Sequence, residues 1–226
     1  MKHKLLLIDG HNLLFKMYYG IPNSIKRNGI EIKGVIGFIS VILKLYHQLE
    51  VYSIIVVFDS ESSTEEKKKI DPSYKGNRVD YSQIENNPFT QLKMIQECLN
   101  YLKIPNFESS HQEADDYIAS LCKKFQDQYS IIIVSTDKDF LQLVNKTVFV
   151  YSYRGKHSIL YDEQEVYSKY QVTPKQIPLY LSLIGDQCDN INGIKGVGPK
   201  TAIKKIKAND TAFFHFHQDT IKKICN

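Results

Sequence analysis

The sequence predicts an α/β fold with a mainly parallel central sheet flanked by helices. Three short segments, residues 4–8, 52–58 and 130–134, are almost entirely apolar. Segments of this kind are typical of strands that are buried on both faces of a sheet. Longer segments with apolar residues at helical spacing, such as 34–49 and 88–102, alternate with them along the chain. This alternation favours parallel strands that are connected by helices.

The length and composition indicate an ordinary soluble protein. With 226 residues and 42% hydrophobic content, the chain can bury a full core as one domain, or as one domain with a small appendage. No run approaches the roughly 18 apolar residues that a membrane span needs. The N-terminal apolar run ends at Asp9 and has no small-residue cleavage site, so we expect no signal peptide. We therefore expect a cytoplasmic protein.

Charge and cysteine spacing exclude some classes of protein. The net charge of +4 is mild; it is compatible with a polyanionic partner but does not establish one. Cys98, Cys122, Cys188 and Cys225 are scattered without CxxC spacing. This makes a disulfide framework or a zinc site improbable and favours a reducing compartment.

The first two predicted strands both end at an aspartate. Asp9 follows residues 4–8, and Asp59 follows residues 52–58. Functional groups of α/β proteins lie at the carboxyl ends of such strands. Asp9 alone is equally well explained as a turn residue or a helix N-cap. Two strands with the same terminal residue exceed what a turn preference predicts.

Five further carboxylates lie in the stretch 111–140, either at the start of a predicted helix or just past the third predicted strand. Glu113, Asp115 and Asp116 open a predicted helix that runs to about residue 126, and Asp137 and Asp139 follow the third strand. Glu113 and Asp116 share a helix face, with Asp115 pointing partly round from them, and Asp137 and Asp139 point the same way if the strand conformation persists. The helix dipole explains any one acid in the first turn, but three acids repel one another. Oxygen ligands of this kind suit a hard divalent ion, Mg²⁺ or Mn²⁺.

A long polar segment separates the second strand from the next helix. Residues 60–87 include the cluster 67–69 of three lysines, together with Tyr74 and Tyr81. A segment of this length inside a compact domain is usually a functional lid, a binding loop or a disordered insert, and a solvated surface loop is the alternative. The mixture of cations and tyrosines suits phosphate contacts and base stacking.

The remaining elements are predicted from local patterns. We expect a connector at 103–110, a hairpin formed by 147–153 and 156–161, and helices over 162–184, with a new helix starting at Thr173 and Pro174.

A glycine-rich turn follows these helices. Asp186 and Asp189 precede the sequence Gly193-Ile-Lys-Gly-Val-Gly198, which leads into a helix that carries further lysines. Glycines permit a tight turn, and the start of a helix offers free backbone N–H groups to a phosphate. This arrangement grips a phosphodiester without reading base sequence.

These motifs occur in an order that resembles the flap endonuclease/5′-3′ exonuclease family over nearly the whole chain. The resemblance is closest to the 5′ nuclease domain of bacterial DNA polymerase I and to bacteriophage 5′ nucleases. It rests on the glycine-rich turn and on nine carboxylates: Asp9, Asp59, Glu113, Asp115, Asp116, Asp137, Asp139, Asp186 and Asp189.

The resemblance implies a particular architecture. The core would be PIN-like, over residues 1–165, and would include a helical arch at about 60–90 that the 5′ single strand passes. Residues 166–226 would form a C-terminal helical region. Within it, residues 185–206 would form a helix-hairpin-helix-like (H3TH) element that holds duplex DNA.

The resemblance also implies two or more divalent ions, Mg²⁺ with Mn²⁺ able to substitute, and the option of a K⁺ ion at the hairpin carbonyls. Lys75 and Arg78 would contact the scissile phosphate. The first metal site would consist of Asp9, Asp59, Glu113, Asp115 and Asp116, and the second of Asp137, Asp139, Asp186 and Asp189. The DNA-binding residues would be Tyr74, Gly193, Lys195, Gly196, Gly198, Lys200 and Thr201.

The implied activity is that of a structure-specific 5′ nuclease in DNA replication and repair, acting on a 5′ flap or on a 5′ end at a duplex junction. Because the chain ends at Asn226 without a polymerase domain, we expect a free-standing, monomeric, nucleoid-associated enzyme. A PIN-type ribonuclease and a non-catalytic DNA-structure binder are the alternatives. A phosphotransferase is disfavoured because the sequence has neither a P-loop nor a GxGxxG motif after a strand.

Overall fold

A computed structural model describes residues 2–60, 65–81, 83–110, 112–218 and 221. Residues 61–64 and 82 of the predicted arch lie outside the described residues. The same holds for residues 219–220 and 222–226 at the end of the predicted C-terminal region, including Cys225.

The predicted α/β fold with a mainly parallel sheet is confirmed. A six-stranded sheet has the order β5-β4-β1-β6-β7-β8, in which β8 alone runs antiparallel to its neighbour. Two-stranded ladders join β2 to β3 and β9 to β10. The strands are β1 His3–Asp9, β2 Lys26–Arg27, β3 Ile30–Glu31, β4 Ser53–Phe58, β5 Asn106–Glu108, β6 Tyr129–Val134, β7 Val148–Ser152, β8 Ile159–Tyr161, β9 Gly185–Asp186 and β10 Ile191–Asn192.

Helices cover both faces of the sheet. Short 3₁₀ helices precede α4 and α7, follow β6 and separate β7 from β8. The α-helices are α1 Gly10–Gly20, α2 Lys33–Gln48, α3 Glu65–Ile70, α4 Leu92–Tyr101, α5 Ala114–Phe125, α6 Glu163–Tyr170, α7 Ile177–Ile184, α8 Pro199–Lys207 and α9 Thr211–Phe216. None of the helices within the described ranges is long and apolar enough to cross a membrane.

The core consists of one apolar cluster on each face of the sheet, and β1 contributes to both. Leu5 and Leu7 belong to the cluster formed with α5 to α8, whereas Leu6 and Ile8 belong to the cluster formed with α1, α2 and α4. All four side chains are at most 3% exposed. This alternation follows from the two-residue period of a strand, and it explains why residues 5–8 include no polar side chain.

The apolar cluster on the α5 side extends into the C-terminal helices. It includes Leu181 of α7 and Ala202 and Ile206 of α8, together with residues of the sheet. One continuous apolar cluster therefore contains residues from both sides of the predicted boundary at 165/166. The division of the chain into two regions stays a prediction.

The connector predicted at 103–110 contains an additional strand. Residues 106–108 form β5, which pairs in parallel with the edge of β4. Pro105 and the short length hide this strand from pattern analysis, since the strand depends on pairing with β4. The hairpin of β7 and β8 and the new helical segment after Thr173 agree with the predictions.

The described part of the arch contains one short α-helix, α3, and a series of turns at 72–77. Pro72 follows Asp71 directly after α3, and a residue before proline disfavours helical backbone. The helix therefore stops, and the next residues turn back towards the carboxyl edge of the sheet.

The chain between α7 and α8 forms a tight hairpin. Gly193 lies so close to the end of α7 that a Cβ atom there would be 2.3 Å from the carbonyl carbon of Ile184 and 2.4 Å from the nitrogen of Gly185. No side chain fits at this distance. Gly193 therefore has a packing role in holding the hairpin against α7.

We expect Gly193→Ala to destabilise the protein, because the added methyl group must displace backbone atoms. Forced overpacking of this kind costs about 1–3 kcal/mol, and each kcal/mol lowers Tm by roughly 2–4 °C in a chain of this length. Thermal unfolding measures the change. Gly198→Ala is the control, since nothing lies within 4 Å of its Cβ position. An unchanged Tm for Gly193→Ala would contradict the packing role.

Candidate active site

The carboxyl ends of β1, β4 and β6 meet at one edge of the sheet because the three strands are parallel. Asp9 is the last residue of β1 and caps α1, accepting a hydrogen bond from the Asn12 N–H at 3.1 Å. The Ser135 hydroxyl, directly after β6, donates to the other oxygen of Asp9 at 2.9 Å. Asp59 follows β4 and accepts a hydrogen bond from the Ala114 N–H at 2.7 Å. Residues from three strands and α5 thus meet here.

Three carboxylates converge at the start of α5. Glu113, Asp115 and Asp116 each place an oxygen within 4.8 Å of the other two. Asp115 therefore joins Glu113 and Asp116, which the sequence placed on one helix face. Among the described residues, this is the one group of three or more potential ligands that meets this distance.

Two lysines of the arch lie against this group. Lys67 is bonded to Glu113, and its Nζ lies 3.4 Å from Asp116 and 3.9 Å from Asp115. Lys75 is bonded to the other oxygen of Glu113, with its side chain only 10% exposed. Burial alone would raise the pKa of Glu113, but Lys75 and Lys67 outweigh burial and hold the pKa below its ordinary value. Glu113 is therefore an ionised carboxylate that is 2% exposed.

The second predicted group differs from the expectation in one respect. The strand conformation does not persist to Asp139, which begins a 3₁₀ helix and donates its N–H to Asp137 at 3.0 Å. The shared side-chain direction was predicted only for an extended segment, and that condition is not met because this turn ends the segment. Asp186 is the last residue of β9 and accepts a hydrogen bond from the Cys188 N–H at 2.8 Å, and Asp189 lies in the loop that joins β9 to β10.

Mutual repulsion connects all nine predicted carboxylates. Burial and the neighbouring charge of Asp59 raise the pKa of Asp9 to about 8. Burial and Asp137 raise the pKa of Asp139 to about 7, and burial is the main cause that raises the pKa of Asp115 to about 6. Burial and the charges of Asp189 and Asp186 raise the pKa of Asp137. Without a further cation, the pocket resists full ionisation.

Tyr74 has a different environment from the one that its predicted role requires. It is 8% exposed, and its hydroxyl donates to Glu113 at 2.9 Å and to Asp189 at 3.3 Å. Burial and these two charges raise the pKa of Tyr74, so the hydroxyl keeps its proton. The predicted base-stacking role does not fit this burial. Arg78, by contrast, is 55% exposed and approaches Asp189 at 3.3 Å.

The predicted DNA-binding residues after β10 lie on an accessible surface. Lys195, Gly196, Gly198, Lys200 and Thr201 are exposed, and Gly193 is partly buried. Lys200, Thr201, Lys204 and Lys205 line a shallow cavity of about 390 Å³ at α8. Because α8 begins at Pro199, this surface combines lysine side chains with a helix N-terminus.

Three further residues of the site were not predicted from the sequence. His11 places Nδ1 3.2 Å from Asp59 Oδ2, Ser135 bonds to Asp9, and Lys67 bonds to Glu113. Ser135 could have been found from its position directly after a predicted strand. The partners of His11 and Lys67 are 48 and 46 residues away, so local spacing carries no signal for them.

The donor set fits a hard divalent cation. The convergent atoms are carboxylate oxygens, with no cysteine among them, and four carboxylates of the pocket have pKa values raised by burial and mutual repulsion. A divalent ion relieves such repulsion and prefers oxygen ligands. The arrangement can thus hold a cation at the edge of the sheet, next to a basic surface that suits a phosphodiester.

An α/β sheet with an acidic edge and an adjoining helix-hairpin-helix-like element defines a nuclease-type fold. The chain belongs to the 5′-3′ exonuclease family. Residues 4–171 match the family's N-terminal resolvase-like domain, and residues 172–212 match its C-terminal SAM fold.

Two bacterial proteins are similar in sequence to this chain. The chain is 35% identical to the 5′-3′ exonuclease of Aquifex aeolicus, covering 90% of this chain and 68% of that protein. It is 34% identical to DNA polymerase I of Caldicellulosiruptor bescii, covering 90% of this chain but only 24% of the polymerase. The chain thus spans about a quarter of that relative.

A solved structure supports the fold independently. The flap endonuclease of bacteriophage T5, in a complex with DNA and metal ions, aligns with a TM-score of 0.72 at 25% identity, covering 91% of this chain and 75% of that chain.

We expect Asp9→Asn to stabilise the protein in EDTA at pH 7.5. The folded-state pKa of about 8 lies far above the unfolded value, so the folded state binds the extra proton between about pH 4 and pH 8. The free energy of unfolding therefore falls as pH rises through this window. Asparagine removes the charge and retains an oxygen that can cap α1, so Tm should rise by several degrees at pH 7.5 and by less at pH 5.

Thermal unfolding in EDTA at both pH values checks this expectation. Asp127→Asn is the matched control, because Asp127 is exposed and lies outside the pocket, in the turn after α5. A lower Tm for Asp9→Asn at pH 7.5 would show that the carboxylate stabilises the metal-free fold, contrary to the expectation.

Proposed function

We propose that this protein is a structure-specific 5′ nuclease that hydrolyses DNA phosphodiesters at a 5′ flap or at a 5′ end near a duplex junction. The observation that carries the proposal is the position of the acidic pocket. Asp186 and Asp189 belong to the same loop and hairpin that present Lys195 and the start of α8 to solvent. A duplex held on this hairpin therefore has a phosphodiester beside the carboxylates.

The pocket is proposed to hold two or more divalent ions, with Mg²⁺ as the ion and Mn²⁺ as a substitute. Glu113, Asp115 and Asp116 have the closest oxygens and would belong, with Asp9 and Asp59, to one site. Asp137, Asp139, Asp186 and Asp189 would form the other. The structure from bacteriophage T5 supports metal binding as such, because it contains DNA and metal ions. A K⁺ ion at the hairpin carbonyls remains a prediction from the resemblance.

When bound, divalent ions would lower the pKa of a water molecule and stabilise negative charge on the attacking and leaving oxygens. The protein's own cations supply the remaining charge. Lys75 and Arg78 would leave Glu113 and Asp189 and bind the phosphate, which neutralises charge that develops during hydrolysis. The carboxylates are proposed as ligands, not as general bases. Tyr74, with its retained proton, orients Glu113 and Asp189.

Asp139→Asn tests the role of the carboxylates. We expect the wild type to release a labelled 5′ flap in Mg²⁺ and not in EDTA, and to leave a 3′ flap intact. Asp139→Asn should lose at least about 100-fold in turnover, because a ligand at a charged centre is removed, while DNA affinity in EDTA stays largely intact. Asp127→Asn again serves as the control.

Each failure has a distinct meaning. Full turnover by Asp139→Asn at saturating Mg²⁺ would remove Asp139 from the ligand set. Tight binding of flap DNA by the wild type without cleavage would overturn the nuclease proposal in favour of a DNA-structure binder. Preference for RNA over DNA would place the protein among PIN-type ribonucleases.

Lys67 should compete with a divalent ion for the α5 carboxylates. Its ammonium group already lies among Glu113, Asp115 and Asp116. Lys67→Ala removes this competing charge, so Mg²⁺ affinity should rise by roughly 3- to 10-fold, equivalent to about 1 kcal/mol for a partly exposed ion pair. Isothermal titration calorimetry without DNA measures it.

Lys68→Ala, on the same helix, is the matched control because Lys68 is exposed. Unchanged or weaker Mg²⁺ binding by Lys67→Ala would mean that Lys67 does not occupy the cation position.

A further inference from the structure

Two segments that are more than 100 residues apart are joined by a set of hydrogen bonds that we call the clasp. One segment is the turn 73–78 at the base of the arch, and the other is the loop 187–190 between β9 and β10. The Asn190 side chain donates to the Ser73 carbonyl at 2.8 Å, and the Asn77 side chain donates to the Gln187 carbonyl at 2.8 Å. Between them, the Lys75 N–H donates to the Asp189 carbonyl at 2.9 Å.

The clasp encloses an unfavourable backbone conformation. Lys75 has φ of 53° and Asn190 has φ of 59°, both in the left-handed region. Asparagine tolerates this region, but a lysine adopts it only where its surroundings hold it there. The Lys75 N–H is bonded to the loop, and its two chain neighbours at 74 and 76 lie inside the span that Asn190 and Asn77 fix. The clasp thus holds the backbone of Lys75.

The direction of the Lys75 side chain follows from this backbone. Its ammonium group reaches Glu113 and lies 3.9 Å from Asp189 Oδ1. Asn190 itself has no ionisable group, and among the contacts of the described residues its side chain is bonded to the Ser73 carbonyl and not to a carboxylate. Its contact with the arch therefore acts on the position of Lys75 and not on the charge of the pocket.

We propose that Asn190 and Asn77 are positioning residues for Lys75, whose backbone they hold beside the carboxylates so that its ammonium group can move from Glu113 to the phosphate. The inference rests on the proposed nuclease function and adds two residues to it. Because Asn190 also leads into β10 and the hairpin, the clasp fixes the arch base relative to the surface that holds duplex DNA. The position of Lys75 relative to the bound duplex is then fixed.

The test uses the whole chain and three variants. Asn190→Gly removes the amide donor and still permits the left-handed backbone, and Asn77→Ala removes the opposite bond at a residue with ordinary backbone. Asn28→Gly is the matched control, since Asn28 is an exposed asparagine with φ of 52° in the turn between β2 and β3.

Cleavage of 5′-flap DNA gives the first readout. We expect Asn190→Gly and Asn77→Ala each to lower kcat by about 10- to 100-fold with KM changed less than about threefold, as for a misplaced catalytic group. In a Lys75→Ala background, measured under single-turnover conditions, Asn190→Gly should lower the rate by less than about twofold further. Asn28→Gly should behave as the wild type.

Chemical labelling gives a second readout that needs neither DNA nor metal. Lys75 is shielded in the wild type, so an amine-acetylating reagent in EDTA should modify it slowly. Asn190→Gly and Asn77→Ala should raise the Lys75 acetylation rate by roughly 3- to 10-fold, as expected when a local contact opens more often, while Tm and the labelling of Lys44 stay close to wild type.

The outcomes separate the two proposals. If Asn190→Gly lowered the rate in the Lys75→Ala background by the same factor as in the wild type, the positioning role would be overturned. Unchanged Lys75 labelling in both clasp variants would overturn it as well. A general rise in lysine labelling with a lower Tm would overturn it too, since the asparagines would then serve overall stability. A wild type that cleaves no flap substrate would overturn the proposed function, whereas labelling would still decide whether the clasp positions Lys75.

Discussion

Repulsion among buried carboxylates is the constraint on which the site depends. Parallel strands bring their carboxyl ends to one edge, so side chains that are far apart in sequence face one another across a few ångströms. Burial, together with this repulsion, raises the pKa values of Asp9, Asp139 and Asp115. The fold tolerates the cost because the apolar clusters on both faces of the sheet hold the strand ends in place.

The same repulsion explains where the arch base lies. Lys67, Lys75 and Arg78 belong to a polar segment with little regular structure of its own, and each is paired with a carboxylate of the pocket. Electrostatic attraction, the buried hydroxyl of Tyr74 and the clasp therefore hold this segment, in place of an apolar core. A segment held by charge can exchange partners when a metal ion or a phosphate arrives, which a segment held by apolar packing cannot do easily.

Much of this arrangement could be predicted from the sequence, because it follows from local patterns. The continuously apolar segments identified β1, β4 and β6, and the known geometry of parallel sheets then placed Asp9 and Asp59 at one edge. The edge strand β5 was missed, since three residues next to a proline carry too little periodicity. The conformation at Asp137 and Asp139 was left open, and a hydrogen bond from the Asp139 N–H to the Asp137 side chain forms a turn there.

The contacts between distant segments were beyond local patterns. Lys67 is one of three consecutive lysines, and only the folded chain distinguishes it from Lys68 and Lys69. Tyr74 was predicted to bind DNA, in a segment whose cations and tyrosines suit phosphate contacts and base stacking, yet the residue is buried and its hydroxyl is used for hydrogen bonds. Its partners are 39 and 115 residues away along the chain.

The central position of β1 affects how the protein is made. β1 is the most N-terminal strand of the sheet, yet it lies between β4 and β6 and pairs with residues 53–57 and 129–134. Its backbone hydrogen bonds stay incomplete until more than half of the chain has been synthesised, and the last two carboxylates arrive only at 186 and 189. Long-range pairing of this kind folds slowly. A nascent chain therefore carries unpaired apolar strands and acidic residues before the acidic pocket is complete. The acidic pocket is therefore completed only after residue 189 has been synthesised, and a shorter nascent chain keeps apolar strands unpaired and prone to aggregation.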